Sequence, residues 1–193
     1  MAPILLASTS PYRRELLQRL RLPFSAQAPR VDERPIEGEA PRDTARRLAL
    51  AKARAVAHAR PDAIVIGSDQ VADVDGEALS KPGSHEVALA QLKRMQGREV
   101  VFHTALAVID PHGRHLLDDV PTVVRFRSLP TAQLDAYLRA EQPYDCAGAA
   151  KIETLGITLV ESVRSEDPTA LVGLPLICLT TMLAACGVQL PVP

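Results

Sequence analysis

The sequence is poor in aromatic and sulfur-containing side chains. It has no tryptophan, three tyrosines and three phenylalanines among 193 residues, so it offers few stacking platforms for single-stranded nucleic acid. Its net charge of -1 provides no basic field that would attract nucleic acid. Cys146, Cys178 and Cys186 are odd in number and have no C-x-x-C spacing, which is typical of reduced thiols in a cytoplasmic protein.

Signals for secretion or for membrane insertion are also missing. The N-terminus lacks the basic n-region and the long apolar h-region of a signal peptide. Segment 170–188 is almost uncharged and long enough for a transmembrane helix, but Gly173 and Pro175 lie within it and Gly187 ends it. A buried C-terminal helix is the better interpretation. With 47% hydrophobic residues, we expect one globular domain, 1–193, with two closely joined lobes and no membrane partner.

Several familiar catalytic motifs are absent. The chain has no G-x-x-x-x-G-K-[ST], no G-x-G-x-x-G and no G-x-S-x-G motif. The sequence therefore does not support a P-loop NTPase, a dinucleotide-binding protein or a serine hydrolase. No pair of histidines has zinc-binding spacing. All five histidines are expected to be peripheral: His58, His85, His103, His112 and His115.

A strand that runs directly into a helix organises the N-terminal part. The apolar run 3–7 predicts a buried strand, Ser10 is a good N-cap, and Pro11 suits the first helical position. The free N–H groups and the dipole of such a helix favour an anion. Arg13 falls on the apolar stripe of this helix, so we expect it to face a cleft. An ordinary capped helix with snorkelling arginines explains the local pattern equally well.

A second basic residue lies on an apolar helical face. The pattern over 41–60 predicts a helix, and Lys52 lies opposite its polar stripe among alanines, leucine and valine. Burying an unpaired ammonium group is costly, so either the amine snorkels out or it ends in a pocket that holds negative charge. We favour the pocket.

Acidic residues follow two predicted elements. Asp32 and Glu33 lie in a polar loop after a short strand over 24–28. The β-branched run 63–67 predicts a central strand that stops before Asp69, a typical position for a catalytic carboxylate in α/β proteins. Solvated loop carboxylates and a turn-capping aspartate are the alternatives. A hairpin over 71–80 with an Asp-Gly turn then places Lys81 at an ordered corner.

The remaining segments predict an α/β protein. We expect helices over 84–95 and 130–141, long strands over 100–109 and 116–129, a lining loop over 144–153, and a strand over 157–160. Interleaved strands and helices with long hairpins indicate a mixed, twisted sheet with flanking helices, split into two lobes around a cleft. Arg13, Lys52 and Lys81 could neutralise a polyphosphate there, and Glu33 and Asp69 could hold Mg²⁺ and activate a water.

Seven short segments in this order resemble the Maf family of nucleoside triphosphate pyrophosphatases across the whole chain. They are LASTSPYRR (6–14), VDE (31–33), RLALAKA (47–53), IGSDQV (66–71), SKP (80–82), CAG (146–148) and LVGLPL (171–176). The resemblance implies a fold related to the inosine triphosphatases and hydrolysis of a nucleoside triphosphate to monophosphate and pyrophosphate with Mg²⁺ or Mn²⁺. It also implies that Asp69 is the proton acceptor. The other matching active-site positions are Ser8, Arg13, Glu33, Lys52 and Lys81.

Three positions depart from the commonest pattern of the family. Tyr12 replaces the first arginine of Ser-Pro-Arg-Arg, Gln70 replaces the threonine of Asp-Thr, and Glu153 replaces a glutamine. These changes are similar to the branch that acts on 7-methyl-GTP, which implies a role in removing modified nucleotides. A dTTP or UTP pyrophosphatase, or a non-catalytic nucleotide-binding regulator of cell division, are the alternatives. We also expect a homodimer.

Overall fold

The structure is a computed structural model that describes residues 2–34, 36–79 and 81–191. Within these residues seven strands form one sheet in the order β2-β1-β3-β5-β6-β7, with β4 paired to β3. The strands are β1 (Ile4–Ala7), β2 (Phe24–Gln27), β3 (Ile64–Val74), β4 (Glu77–Leu79), β5 (Glu99–Ile109), β6 (His115–Phe126) and β7 (Val160–Ser165). The α-helices are α1 (Pro11–Gln18), α2 (Pro41–Ala59), α3 (His85–Met95), α4 (Thr131–Glu141) and α5 (Leu176–Ala185).

The sheet is mixed. Strands β2, β1 and β3 run parallel, whereas β4, β5, β6 and β7 join by antiparallel pairing. The parallel part needs crossover connections, which α1 and α2 supply. In the antiparallel part, hairpins join β3 to β4 and β5 to β6, and longer connections with α3 and α4 lead into β5 and β7. The predicted mixed α/β class is therefore confirmed.

Helices cover both faces of this sheet. Apolar residues of α1 and α5 pack against Ile64 and Ile66 of β3, while α3 and α4 pack on the same face against Ala72 and Val74. Helix α2 packs on the opposite face. The first face therefore carries two separate apolar clusters, one at each end of β3. The division of the chain into two lobes stays a prediction.

Helix α2 lies unusually close to the sheet at Gly67. A Cβ atom at Gly67 would stand 2.4 Å from the Ala49 carbonyl oxygen and 2.7 Å from the Ala53 nitrogen. Alanines on this side of α2 and a glycine in β3 are therefore what allow the two backbones to approach. This contact also sets how closely Lys52 approaches β3, because Lys52 lies one residue before Ala53.

Three element predictions are wrong in their extent. The strand predicted over 63–67 does not stop before Asp69 but continues to Val74, because β5 pairs with it without a break. Segment 157–160 mostly belongs to a 3₁₀ helix, Leu155–Leu159, and the strand follows it. The C-terminal helix begins only at Leu176, after Pro175. The strand predicted to reach Ser80 is described over Glu77–Leu79, and its predicted last residue lies outside the described residues.

The membrane interpretation of the C-terminal segment is not supported by the fold. Within residues 2–34, 36–79 and 81–191, no helix combines the length and hydrophobicity needed to cross a membrane. Helix α5 instead contributes Leu179, Met182 and Leu183 to the apolar cluster beneath β1 and β3.

Candidate active site

A gap along one edge of β3 defines the candidate site. Strand β1 pairs with β3 as far as Leu6 and Ile66, and β4 begins to pair with β3 only at Ala72 and Leu79. Among residues 2–34, 36–79 and 81–191, no strand other than β5 pairs with residues 67–71 of β3, so one side of this stretch is open. The chain leaving β1 carries Ser8 to one end of the gap. Lys81 lies two residues after the last described residue of β4. Open sheets bind ligands at such switch points, where the chain leaves the carboxyl ends of strands.

Lys52 and Asp69 form a buried ion pair inside this gap. The Lys52 Nζ atom lies 2.7 Å from Asp69 Oδ1 and 3.1 Å from Glu33 Oε1. The side chains of Lys52 and Asp69 are 7% and 10% exposed, whereas Glu33 is 53% exposed on its loop. One amine therefore joins a buried carboxylate of β3 to a loop carboxylate at the surface. From the apolar face around Lys52, we favoured a pocket that holds negative charge, and these two carboxylates provide that charge.

Arg13 enters the gap from the first turn of α1. Ser10 caps this helix by accepting a hydrogen bond from the Arg13 N–H, and Pro11 follows it, as the sequence predicted. The Arg13 Nε atom donates to the Gly173 carbonyl oxygen at 2.9 Å. Burial lowers the pKa of the guanidinium, and the carboxylates of Asp69 and Glu33 act in the opposite direction.

Ser8 and Lys81 complete the set of predicted phosphate-binding residues. Ser8 is buried at the end of β1, and its Oγ accepts a hydrogen bond from the Ser10 N–H at 3.1 Å. Lys81 is exposed. The chain just after it is held by a hydrogen bond from the Gly83 N–H to the Tyr144 carbonyl, which joins this corner to the loop predicted to line the site.

Tyr12 lies beside a basic residue that the sequence analysis did not single out. The Lys151 Nζ atom is 5.4 Å from the centre of the Tyr12 ring and 3.0 Å from Glu141 Oε1. The pKa of Lys151 is raised to about 12, chiefly by its hydrogen bond to Glu141. An aromatic ring in this position attracts a cation. No local pattern around residue 151 indicated this contact, because Tyr12 is far away in sequence.

Glu153 lies two residues after Lys151, with other acidic groups nearby. Its pKa is raised, mainly by desolvation, and the charges of Glu141 and Asp145 add to the effect. The pKa of Tyr12 is also raised, first by burial and then by Cys146 and Asp145. Asp145 and Lys151 therefore act on both Tyr12 and Glu153, and Lys151 is the basic group beside the Tyr12 ring.

Gln70 points away from Asp69, because adjacent residues of a strand face opposite sides of the sheet. Its Nε2 atom lies 2.9 Å from the Leu171 carbonyl oxygen, 3.1 Å from the Ala170 carbonyl oxygen and 3.0 Å from Thr104 Oγ1. Its amide group therefore holds a neighbouring turn. A direct contact between Gln70 and substrate stays a prediction.

His103 is the clearest residue that the sequence analysis missed. It was expected to be peripheral, but its side chain is only 13% exposed, and its Nδ1 atom lies 2.9 Å from Asp119 Oδ2. Asp73 lies on the other side of the ring, and Arg42 contacts the same Asp119 oxygen. The pKa of His103 is raised, chiefly by the hydrogen bond to Asp119. These partners come from α2, β3 and β6, so local sequence could not reveal them.

The gap offers a divalent cation two carboxylate ligands, Glu33 and Asp69. Among the described residues, no three His, Cys, Asp or Glu side chains are grouped so that they could hold a metal ion. Lys52 nevertheless draws Glu33 and Asp69 together. Mg²⁺ commonly uses one or two protein carboxylates and completes its coordination with water and substrate phosphates, so this pair fits.

Comparisons with known proteins place the chain among bacterial relatives. A family model described as "Maf-like protein" matches residues 3–186. A protein of Bordetella pertussis named 7-methyl-GTP pyrophosphatase is 60% identical over 187 residues, which cover 96% of this chain and 93% of the relative. A protein of Ralstonia nicotianae with the same name is 60% identical over 182 residues, or 94% of each chain.

Solved structures are also similar to this chain. One of them is the nucleoside-triphosphatase, or dITP/XTP pyrophosphatase, of Mycobacterium abscessus, with a TM-score of 0.44 and 21% sequence identity. The similarity covers 66% of this chain and 76% of that protein. The family match over residues 3–186 and the two full-length relatives confirm the resemblance carried by the seven segments, and the chain belongs to the Maf family.

Proposed function

We propose that this protein is a nucleoside triphosphate pyrophosphatase that converts 7-methyl-GTP to 7-methyl-GMP and pyrophosphate. The buried pair between Lys52 and Asp69, extended by Glu33, is the observation that carries this proposal. A buried carboxylate beside a fixed cation at a gap in the sheet suits hydrolysis of a charged substrate. The names of the relatives from Bordetella and Ralstonia support the same substrate.

In the proposed reaction Asp69 accepts a proton from the water that attacks the α-phosphorus. The Lys52 ammonium group keeps the Asp69 carboxylate in place, since its Nζ atom lies 2.7 Å from Oδ1. Arg13, Lys52 and Lys81 offset the negative charge that would otherwise repel the nucleophile. Glu33 and Asp69 would hold a divalent cation, Mg²⁺ or Mn²⁺, which supplies further positive charge to the phosphates when bound.

The proposed base site uses Tyr12 and Glu153. Methylation at N7 leaves a positive charge on guanine, and an aromatic face attracts such a cation by roughly 0.5–2 kcal/mol. Tyr12 already lies near a cation, the Lys151 ammonium group. The Glu153 carboxylate could accept hydrogen bonds from the N1–H and amino groups of guanine, and its charge complements the methylated ring.

A panel of nucleotides tests the reaction. Purified protein with Mg²⁺ or Mn²⁺ is incubated with 7-methyl-GTP, GTP, dTTP and UTP, and pyrophosphate and orthophosphate are measured separately. We expect 7-methyl-GTP to be cleaved with the highest kcat/KM, with pyrophosphate as the product. Release of orthophosphate would refute cleavage between the α- and β-phosphates, and preference for dTTP or UTP would refute the proposed base site. Nucleotide binding without any turnover would favour the regulator.

Two substitutions test how the base is recognised. Glu153→Gln keeps the size of the side chain but removes its charge, and Tyr12→Ala removes the ring. Both should reduce kcat/KM for 7-methyl-GTP by about 10-fold and should affect GTP much less. Glu161→Gln, on β7 at a half-exposed position, is the matched control and should leave both values unchanged. Equal losses on the two nucleotides would show that neither residue distinguishes the methylated base.

We propose that the protein acts in the cytoplasm, because nucleoside triphosphates are made and used there. The three cysteines are free thiols in the structure, which is consistent with this location.

A further inference from the structure

A row of polar side chains separates the two apolar clusters on one face of the sheet. Along β3 the residues on this face are Ile64 and Ile66, then Ser68 and Gln70, then apolar residues again. Thr104 of β5 lies beside Gln70. Ser68 and Thr104 are fully buried, so their hydroxyl groups need partners.

The partners are backbone carbonyls of one short segment, residues 167–173, which we name the strap. Ser68 Oγ donates to the Gly173 carbonyl at 2.9 Å, and Thr104 Oγ1 donates to the Ala170 carbonyl at 2.9 Å. The Gln70 amide donates to the Ala170 and Leu171 carbonyls. The strap therefore lies over the polar row between the two apolar clusters and is bound there by β3 and β5.

Asp167 anchors the far end of the strap. Its side chain is 2% exposed. One carboxylate oxygen accepts hydrogen bonds from the Thr169 N–H at 2.9 Å and the Thr169 hydroxyl at 2.7 Å. The other accepts from the Ile177 N–H at 2.6 Å and the Cys178 N–H at 3.4 Å, in the first turn of α5. Every one of these donors lies within the strap or α5, so Asp167 ties these two segments together.

The strap ends at the residue that holds Arg13. The Gly173 carbonyl oxygen accepts the hydrogen bond from Arg13 Nε, and it also accepts the one from Ser68. Within the described residues, the two Nη groups of Arg13 make no hydrogen bond, so they are available to phosphate oxygens. Gly173 has φ = 116°, and a Cβ atom there would stand 3.6 Å from Arg13 Nε. The position of this carbonyl therefore sets the orientation of the guanidinium group.

We infer that Asp167 is a positioning residue for phosphate recognition, which acts through the strap on Arg13; this rests on the proposed function. Asp167 fixes one end of the strap and Gln70 fixes its middle. Neither needs to touch the substrate. This gives Gln70 a role in the site that differs from reading the base, because its amide nitrogen is already occupied by the two carbonyls.

The test measures phosphate binding without the base. Asp167→Asn replaces one acceptor oxygen by an NH₂ group, which must then face backbone N–H donors. Gln70→Glu is a second, independent variant that places a carboxylate against the Ala170 and Leu171 carbonyls. Binding of pyrophosphate with Mg²⁺ is measured by titration calorimetry. We expect both variants to bind it about tenfold more weakly, which is what loss of one charge-assisted hydrogen bond typically costs. KM should rise in equal proportion for 7-methyl-GTP and GTP.

A matched control separates positioning from general loss of stability. Asp110 is 4% exposed and accepts hydrogen bonds from the His112 and Arg114 N–H groups in a turn away from the gap. Asp110→Asn should lower the melting temperature to a similar degree but leave pyrophosphate affinity unchanged. In an Arg13→Ala background, Asp167→Asn should cause no further loss of affinity, because its effect passes through Arg13.

The possible outcomes distinguish the inference from the proposed function. Unchanged pyrophosphate affinity in folded Asp167→Asn and Gln70→Glu proteins overturns the positioning role while the reaction stands. A further tenfold loss in the Arg13→Ala background also overturns it. A wild-type protein that does not bind pyrophosphate at all overturns the proposed phosphate site together with this inference. A change in the ratio of 7-methyl-GTP to GTP efficiency in Gln70→Glu, without loss of pyrophosphate affinity, assigns Gln70 to base recognition instead.

Discussion

Removing the amine of Lys52 is the sharpest single test of the candidate site. Lys52→Met keeps most of the aliphatic stem, which packs among the apolar residues of α2, but it removes the ammonium group. The Asp69 carboxylate then loses a partner at 2.7 Å, and Glu33 loses one at 3.1 Å. Since Glu33 is half-exposed, water can replace the amine there. Asp69 has no such replacement, because its side chain is 10% exposed.

The expected cost follows from this burial. Leaving one charge of a buried pair without its partner typically costs about 3–5 kcal/mol of unfolding free energy. Arg13 lies near enough to Asp69 to interact with its charge, so we expect a value near the lower end, about 3 kcal/mol. The double variant Lys52→Met/Asp69→Asn removes both charges and should lose only about 1 kcal/mol relative to the wild type.

Urea unfolding followed by circular dichroism measures both values, and the single Asp69→Asn variant completes the cycle. Arg139→Met is the control, because the pair between Arg139 and Asp135 is exposed on α4 and such pairs contribute about 0–1 kcal/mol. Additive losses in the cycle, or a Lys52→Met loss no larger than that of Arg139→Met, would refute the buried pair. Turnover should also fall in Lys52→Met, since the charge near the phosphates is lost.

Three further results are expected. Asp69→Asn should lower kcat by about 10²–10⁴-fold with the fold intact. Near-normal turnover would show that another carboxylate accepts the proton. Gly67→Ala should destabilise the protein by about 3 kcal/mol or more, since its Cβ would stand 2.4 Å from the Ala49 carbonyl oxygen; urea unfolding with an unchanged midpoint would contradict this. The raised pKa of His103 means that its protonated form, bound to Asp119, stabilises the fold below a pH of about 6.5 and that this contribution is lost as pH rises through the folded-state pKa. His103→Gln should therefore cost more unfolding free energy at pH 6 than at pH 9, and equal costs would disprove the charged pair.

The start of α1 and the buried face of α2 could be predicted because their signals are local. A cap at Ser10, a proline at the next position and a leucine stripe are sufficient to begin a helix and to choose its buried face. The position of Lys52 on the apolar face of α2 could be predicted in the same way, since the helical period places its side chain opposite the polar stripe. The alternation of strands and helices similarly predicted a mixed sheet.

The extent of β3 was not available from the sequence. Its apolar alternation breaks at Ser68 and Gln70, which made the strand look as if it ended there. In the fold these residues lie within an unbroken strand, because their hydroxyl and amide groups are satisfied by carbonyls about 100 positions later in the chain. A polar residue in a strand therefore marks either an end or a distant partner, and the local pattern does not distinguish the two.

The sequence by itself determined the fold class, the family motifs and which side chains carry charge into the site. Only the tertiary structure decided which of these side chains meet: Lys151 beside Tyr12, His103 between Asp119 and Asp73, and Arg13 on the Gly173 carbonyl. The physical reason is that helix and strand formation depend on neighbours within a few positions, whereas a hydrogen bond or ion pair between elements depends on how the whole sheet is ordered and how closely α2 and the strap pack upon it.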